Sequence, residues 1–115
     1  MASVDPALLD EAVDLLRQAG ELTLQWFRDD ALAIERKGDG TPVTAADRAV
    51  ERLVRERIAD RFPDDGVLGE EEPELRGRSG RRWIVDPIDG TKAFTRGVPL
   101  YSPLLALHDR DGPAL

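Results

Sequence analysis

Trp83-Ile84-Val85-Asp86-Pro87-Ile88-Asp89-Gly90-Thr91-Lys92-Ala93-Phe94 is the stretch that decides how this chain is read. It begins as a short apolar, β-branched run, the pattern of a buried strand. Pro87 then breaks the run into a tight segment that holds Asp86, Asp89, a glycine and a threonine. Carboxylates at the end of a strand are hard oxygen ligands, suited to Mg²⁺, Ca²⁺ or Mn²⁺. Gly90 lets backbone come close to a ligand. A helix opening at Thr91 would leave free amides that favour an anion. Divalent cations beside a phosphate site account for all of these features together.

The rest of the composition bounds that reading. The chain has 115 residues, enough for one modest domain with a small core. Hydrophobic residues make up 41% and charged residues 34%, the balance of a soluble globular chain rather than a disordered one. A net charge of −7 argues against a nucleic-acid surface, which needs a basic stripe. It leaves room for a small phosphorylated metabolite, because bound cations reverse the local sign. There are no cysteines, so disulfides, zinc–thiolate sites and cysteine nucleophiles are excluded. The first residues, Met1 to Pro6, lack the basic and apolar blocks of a signal peptide, and no apolar run reaches the length of a membrane span. The expected location is the cytoplasm, with no membrane partner.

Upstream of the central stretch, Asp5-Pro6 is a helix start: a capping acceptor, then proline at the first helical position. Leu8, Leu9, Ala12, Val13, Leu16, Ala19, Thr23, Trp26 and Phe27 recur at helical spacing, predicting one amphipathic helix to about Arg28. Gly20 inside it costs about 1 kcal/mol relative to alanine, and close helix packing would explain it. Leu32 to Lys37 alternates weakly, Gly38-Asp39-Gly40 is turn chemistry and Thr41-Pro42-Val43 is a short return strand, together a hairpin. Thr44 is placed to cap a second helix, with Asp47 in its first turn, where a carboxylate complements the helix dipole. Ala46, Val50, Leu53, Val54, Ile58 and Phe62 supply the buried face of that helix, and Pro63 stops it.

Asp64-Asp65-Gly66 reads as a turn and Val67-Leu68-Gly69 as a short strand, followed at once by Glu70-Glu71-Glu72-Pro73. Three glutamates in a row ordinarily form a solvated face, but the first stands at a strand end, where it could be a metal ligand. Glu74 to Arg81 is polar and glycine-bearing and is expected to be a mobile surface loop. Beyond the central stretch, Thr95-Arg96-Gly97-Val98-Pro99 reads as a helix end and turn. Leu100 and Leu104 to Leu107 form a second apolar strand, with a turn at Asp109 to Gly112 and a return strand beginning at Pro113. His108, the single histidine, has no visible partner of the kind a general base needs, and is read as structural.

Gly69-Glu70-Glu71 and Asp86-Pro87-Ile88-Asp89-Gly90-Thr91 after Trp83-Ile84-Val85, with Val43-Thr44-Ala45-Ala46-Asp47 opening a helix, together resemble the inositol monophosphatase family of lithium-sensitive, Mg²⁺-dependent phosphomonoesterases. The details are most similar to the histidinol-phosphatase branch: Pro42 to Arg48, Phe62-Pro63-Asp64-Asp65-Gly66, and Asp89 to Phe94 continuing into Arg96-Gly97-Val98-Pro99. Inositol-specific members more often carry threonine and asparagine where this chain has Lys92 and Ala93, and Lys92 also occurs in relatives acting on adenosine phosphates. Two lookalikes fail on spacing. Haloacid-dehalogenase phosphatases set their aspartates two apart, whereas Asp86 and Asp89 are three apart with a proline between. An EF-hand loop starting at Asp86 would put Ile88 and Gly90 where oxygen ligands belong.

The resemblance implies an α/β layered sandwich with two long helices on a mainly antiparallel sheet, residues 1–115 being the N-terminal portion of the family's domain. It implies two or three Mg²⁺ ions in the complete site. Glu70, Asp86 and the carbonyl of Ile88 would ligate the first, with Asp86 bridging to a second that Asp89 also binds. Asp47 and Thr91 would orient the attacking water with Glu70 nearby, and Lys37 would offset the negative cluster. Asp89, Gly90 and Thr91 would hold the phosphate. The implied reaction is hydrolysis of a phosphate monoester by direct water attack, of histidinol-phosphatase type. The alternatives are inositol-1-phosphatase or adenosine 3′,5′-bisphosphate phosphatase activity, or a metal- or partner-binding module without turnover. The family pattern also has a further metal-binding aspartate later in the chain than Leu115, so weak or no turnover is expected of these residues alone. It allows a homodimer, and an apolar face left open is expected to make the chain self-associate.

Overall fold

A computed structural model describes residues 5–27, 34–36, 42–99, 101–110 and 112–113, with the side chains of 34–36 and 42–44 excepted. The first helix, α1, spans Pro6–Thr23. Asp5 caps it as its sequence requires: the Asp5 carboxylate accepts from the Ala7 amide at 3.0 Å, and Pro6 occupies the first turn. Irregular turns rather than helix carry the chain from Leu24 to Phe27, so α1 ends earlier than the apolar spacing predicts. Strands β1 (Ile34–Arg36) and β2 (Pro42–Thr44) form the expected antiparallel hairpin, whose turn at 37–41 lies outside the described residues. The second helix, α2, spans Ala45–Arg61. The expected Thr44 side-chain cap also lies outside what is described.

Among the described residues the main sheet has four strands in the order β3-β4-β5-β6: Gly66–Leu68, Arg82–Asp89, Ser102–Asp109 and Gly112–Pro113. Only β3 runs parallel to its neighbour, pairing Gly66 with Arg82 and Leu68 with Ile84. The other two pairs are antiparallel. The expected layering of two long helices on a mainly antiparallel sheet is therefore observed. A short third helix, α3 (Thr91–Thr95), follows β4 directly.

The core lies between the helices and one face of this sheet. Ala12, Leu15 and Ala19 from α1 and Val50, Val54 and Ile58 from α2 pack on Val67, Trp83, Val85 and Leu107. On α1 the buried stripe runs through Leu15, which the sequence reading passed over, while Leu9 and Val13 are 45% and 46% exposed. Both stripes are apolar, so periodicity alone does not choose between them. A second cluster of Ala46, Ile88 and Phe94, with Trp26, Phe27 and Tyr101 against it, joins the start of α2 to the end of β4 and to α3.

Two expectations are corrected here. The strand does not break at Pro87. It continues to Asp89 through a bulge, because the pairing passes from Asp86↔Leu104 to Asp89↔Ser102. Pro87 and Ile88 thus stand opposite the single residue Pro103. Two prolines with no N–H to donate meet where the ladder skips, the one setting in a central strand that tolerates them. The second correction concerns 74–81. Val67 and Leu75 bridge, the Arg78 and Ser79 amides donate to the Asp64 carbonyl at 2.7 and 2.9 Å, and the Gly66 amide donates to the Arg81 carbonyl at 2.9 Å. The segment is fastened to the start of β3. Gly77 permits it, since a Cβ there would lie 2.3 Å from the Asp64 carbonyl oxygen.

Candidate active site

Strand register sets Glu70, Asp86 and Asp89 toward the end of the main sheet where the parallel strands β3 and β4 finish. In the parallel pair the last registered partners are Leu68 and Ile84. Asp86 lies two residues further along β4, and Glu70 two residues further on, in the bend beyond β3. The bulge then decides where Asp89 goes. Burial alternates along β4 with Trp83, Val85 and Pro87 buried and Arg82, Ile84 and Asp86 more exposed. Three residues on from Asp86, an unbroken strand would send Asp89 to the opposite face. The extra residue restores the phase: Ile88 is buried and Asp89 returns to the exposed side shared by Asp86. The Asp-Pro-Ile-Asp spacing is thus a device for putting both carboxylates on one face.

Asp47 approaches from α2. It is 3% exposed, and Thr91 at the start of α3 brings its hydroxyl within 3.3 Å of the Asp47 carboxylate and 2.9 Å of the Ile88 carbonyl. Gly90 makes that turn possible, with φ of 86° between β4 and α3. The cluster around Ile88 and Phe94 fixes both partners from behind, with Tyr101 edge-on to Phe94 at 4.8 Å. Asp47, Ile88 and Thr91 are therefore brought together, while Glu70 follows β3 and Asp86 and Asp89 lie in the last part of β4. Lys37 lies outside the described residues. Among those residues no three side chains of His, Cys, Asp or Glu are grouped closely enough to hold a metal ion.

Two buried carboxylates escaped the sequence reading. Glu51 is fully buried and accepts from the Glu71 amide at 2.9 Å, the Glu72 amide at 2.8 Å and the Arg55 guanidinium at 3.1 Å. The available sign was its position one turn after Asp47, but Glu51 and Arg55 four apart read as an ordinary solvated pair. Asp65, read as part of a turn, is 3% exposed and accepts from the Trp83 indole at 2.9 Å and the Ser79 hydroxyl at 2.6 Å.

An α/β chain with carboxylates at its strand ends and a Thr–Asp pair at the start of α3 carries the groups of a hydrolase. Comparison with known proteins places it more closely. A sequence profile described as "Inositol monophosphatase family" matches residues 5–115, and the chain belongs to that family. It is 52% identical over 99 residues to a histidinol-phosphatase of Chlorobaculum parvum, covering 86% of this chain and 38% of that protein. It is 40% identical over 108 residues to an inositol-1-monophosphatase of Rhizobium meliloti, covering 92% and 40%. Among solved structures, the extragenic suppressor protein suhB of Bartonella henselae superposes with a TM-score of 0.88 at 30% identity, over 93% of this chain and 42% of that one. The chain thus spans about two fifths of the length of these relatives. No described helix is long and apolar enough to cross a membrane.

Proposed function

We propose that this chain contributes the metal-binding and water-orienting half of a phosphate monoesterase of histidinol-phosphatase type. The observation that carries the reading is the bulge that returns Asp89 to the exposed side of β4 shared by Asp86, with Glu70 in the bend that follows the parallel strand β3. Their donors are all hard oxygens, the type Mg²⁺ takes, and the Ile88 carbonyl keeps a lone pair beyond the one facing Thr91. Glu70, Asp86, Asp89 and the Ile88 carbonyl would hold the cations. A bound divalent cation lowers the pKa of water and offsets the charge of a phosphate.

The remaining roles follow from the chain's own groups. The Thr91 hydroxyl, held between Asp47 and the Ile88 carbonyl, orients the attacking water with its lone pairs. Asp47 accepts hydrogen bonds from Thr91 and the water, drawing the water's proton away from phosphorus. Attack in line with the leaving oxygen forms the new P–O bond as the old one breaks, and the leaving alkoxide takes up a proton. Asp89 and the amides of Gly90 and Thr91 flank the phosphate. Because α3 is little more than one turn long, those amides act as individual donors rather than through a helix dipole. Lys37 would offset the acidic charge.

Histidinol phosphate is favoured as substrate by the higher identity to a histidinol-phosphatase, 52% against 40% for the inositol-1-monophosphatase, and by Lys92-Ala93. The test is a chimera in which residues 1–115 replace the matching segment of the Chlorobaculum parvum relative. We expect Mg²⁺-dependent phosphate release from histidinol phosphate, and a loss of about a hundredfold or more on Asp86→Asn. A folded but inactive chimera would refute the reading. Lys92→Thr with Ala93→Asn should shift preference toward inositol 1-phosphate, with adenosine 3′,5′-bisphosphate as the third arm of the panel. The isolated 115 residues are expected to release phosphate weakly or not at all.

A further inference from the structure

We infer that Glu51 is a positioning residue for Glu70. The inference rests on the reading of Glu70 and Asp86 as cation ligands, and it concerns a side chain that touches neither cation nor substrate. Glu51 sits one helical turn after Asp47 on α2, and both are buried. Asp47 faces Thr91, at the start of α3, while Glu51 faces the loop that leaves β3. One turn of α2 therefore ties the loop after β3 to the start of α3.

The contact with the loop is specific on both sides. One oxygen of Glu51 accepts from the Glu71 amide at 2.9 Å and the other from the Glu72 amide at 2.8 Å. A carboxylate alone among side chains of this length offers two acceptors and no donor. Arg55 braces it: the guanidinium donates to Glu51 at 3.1 Å and to the Glu72 carbonyl at 3.0 Å. From the other direction, Gly69 leaves the room that Glu51 fills, since a Cβ there would lie 2.2 Å from a Glu51 oxygen and 2.4 Å from its carboxyl carbon. Glu70 is the residue between the glycine and the two bonded amides. Its backbone is thus clamped before and after by the buried Glu51 carboxylate. A solvated run of glutamates needs neither a buried acceptor nor a glycine ahead of it.

The test measures affinity for Mn²⁺ on the chain, from free Mn²⁺ by electron paramagnetic resonance, with circular dichroism and urea unfolding as controls of the fold. Glu51→Gln keeps the shape but turns an N–H donor toward an amide. It should raise the Mn²⁺ dissociation constant about tenfold or more, the usual scale for groups that orient metal ligands. Glu51→Asp retains two acceptors and should recover part of the loss. Gly69→Ala attacks the same contact from the loop side and should weaken Mn²⁺ as Glu51→Gln does; it decides the matter if Glu51→Gln does not fold. Asp86→Asn separates the two readings. If it abolishes Mn²⁺ binding while folded Glu51→Gln or Gly69→Ala binds like the unsubstituted chain, the positioning role is wrong and the metal reading stands. If the unsubstituted chain does not bind Mn²⁺ saturably, or Asp86→Asn leaves affinity unchanged, the metal reading fails and takes this inference with it.

Discussion

The Asp65 carboxylate collects the Trp83 indole, the Ser79 hydroxyl and the Arg81 guanidinium while almost wholly buried. Removing it leaves the buried Trp83 N–H without its acceptor and frees the start of β4 from the preceding loop. Asp65→Ala should cost about 3 kcal/mol, read from urea midpoints, more than a turn aspartate would. Gly20 predicts the opposite sign. Among the described residues a Cβ there would meet nothing within 4 Å, so no close packing among them accounts for this glycine. Gly20→Ala should stabilise the chain by about 0.5–1 kcal/mol in the same measurement. At this scale the sequence was least informative about acids. Asp47, Asp86 and Asp89 could be picked out by motif, whereas Glu51 and Asp65 could not. A carboxylate's burial depends on donors that arrive from distant segments, here the Glu71 and Glu72 amides and the Trp83 indole.

Elements were easier to read than their faces. Helices α1 and α2, the hairpin and the strand at Trp83 follow from caps, turns and periodicity, since these are local. Which side of α1 is buried is not local, because Leu9 and Val13 extend an apolar surface beyond the stripe that contains Leu15. The structure assigns the packing to Leu15, so Leu15→Ala should cost about 3 kcal/mol and Leu9→Ala no more than about 0.5 kcal/mol. Comparable losses at both positions would contradict this packing. In β4 the proline misled for a related reason. Pro87 ends a strand unless the partner also lacks a bond to make, and Pro103 opposite is a long-range fact.

For the whole molecule, helices cover one face of the main sheet, while Leu104 on the other face is 49% exposed. Leu9, Val13 and Leu24 add exposed apolar surface on and just beyond α1. Such surface favours association in water. Sedimentation of the 115-residue chain at high concentration should show self-association that Leu104→Glu reduces; a clean monomer before substitution would refute the expectation. The layer architecture itself was legible because the order of elements follows from short, well-marked segments, whereas the parallel pairing of β3 with β4 is a long-range fact that no segment announces.

The fastening of residues 74–81 also makes the chain report on its own local opening. Arg76, Arg78, Arg81 and Arg82 place four tryptic sites within or beside a segment tied to Asp64 and Asp65. Cleavage there requires those ties to open, so under conditions where reclosing outruns the protease the nicking rate measures the free energy of that opening alone. Trypsin becomes a gauge of one loop, readable on a gel, and Asp65 sets its zero.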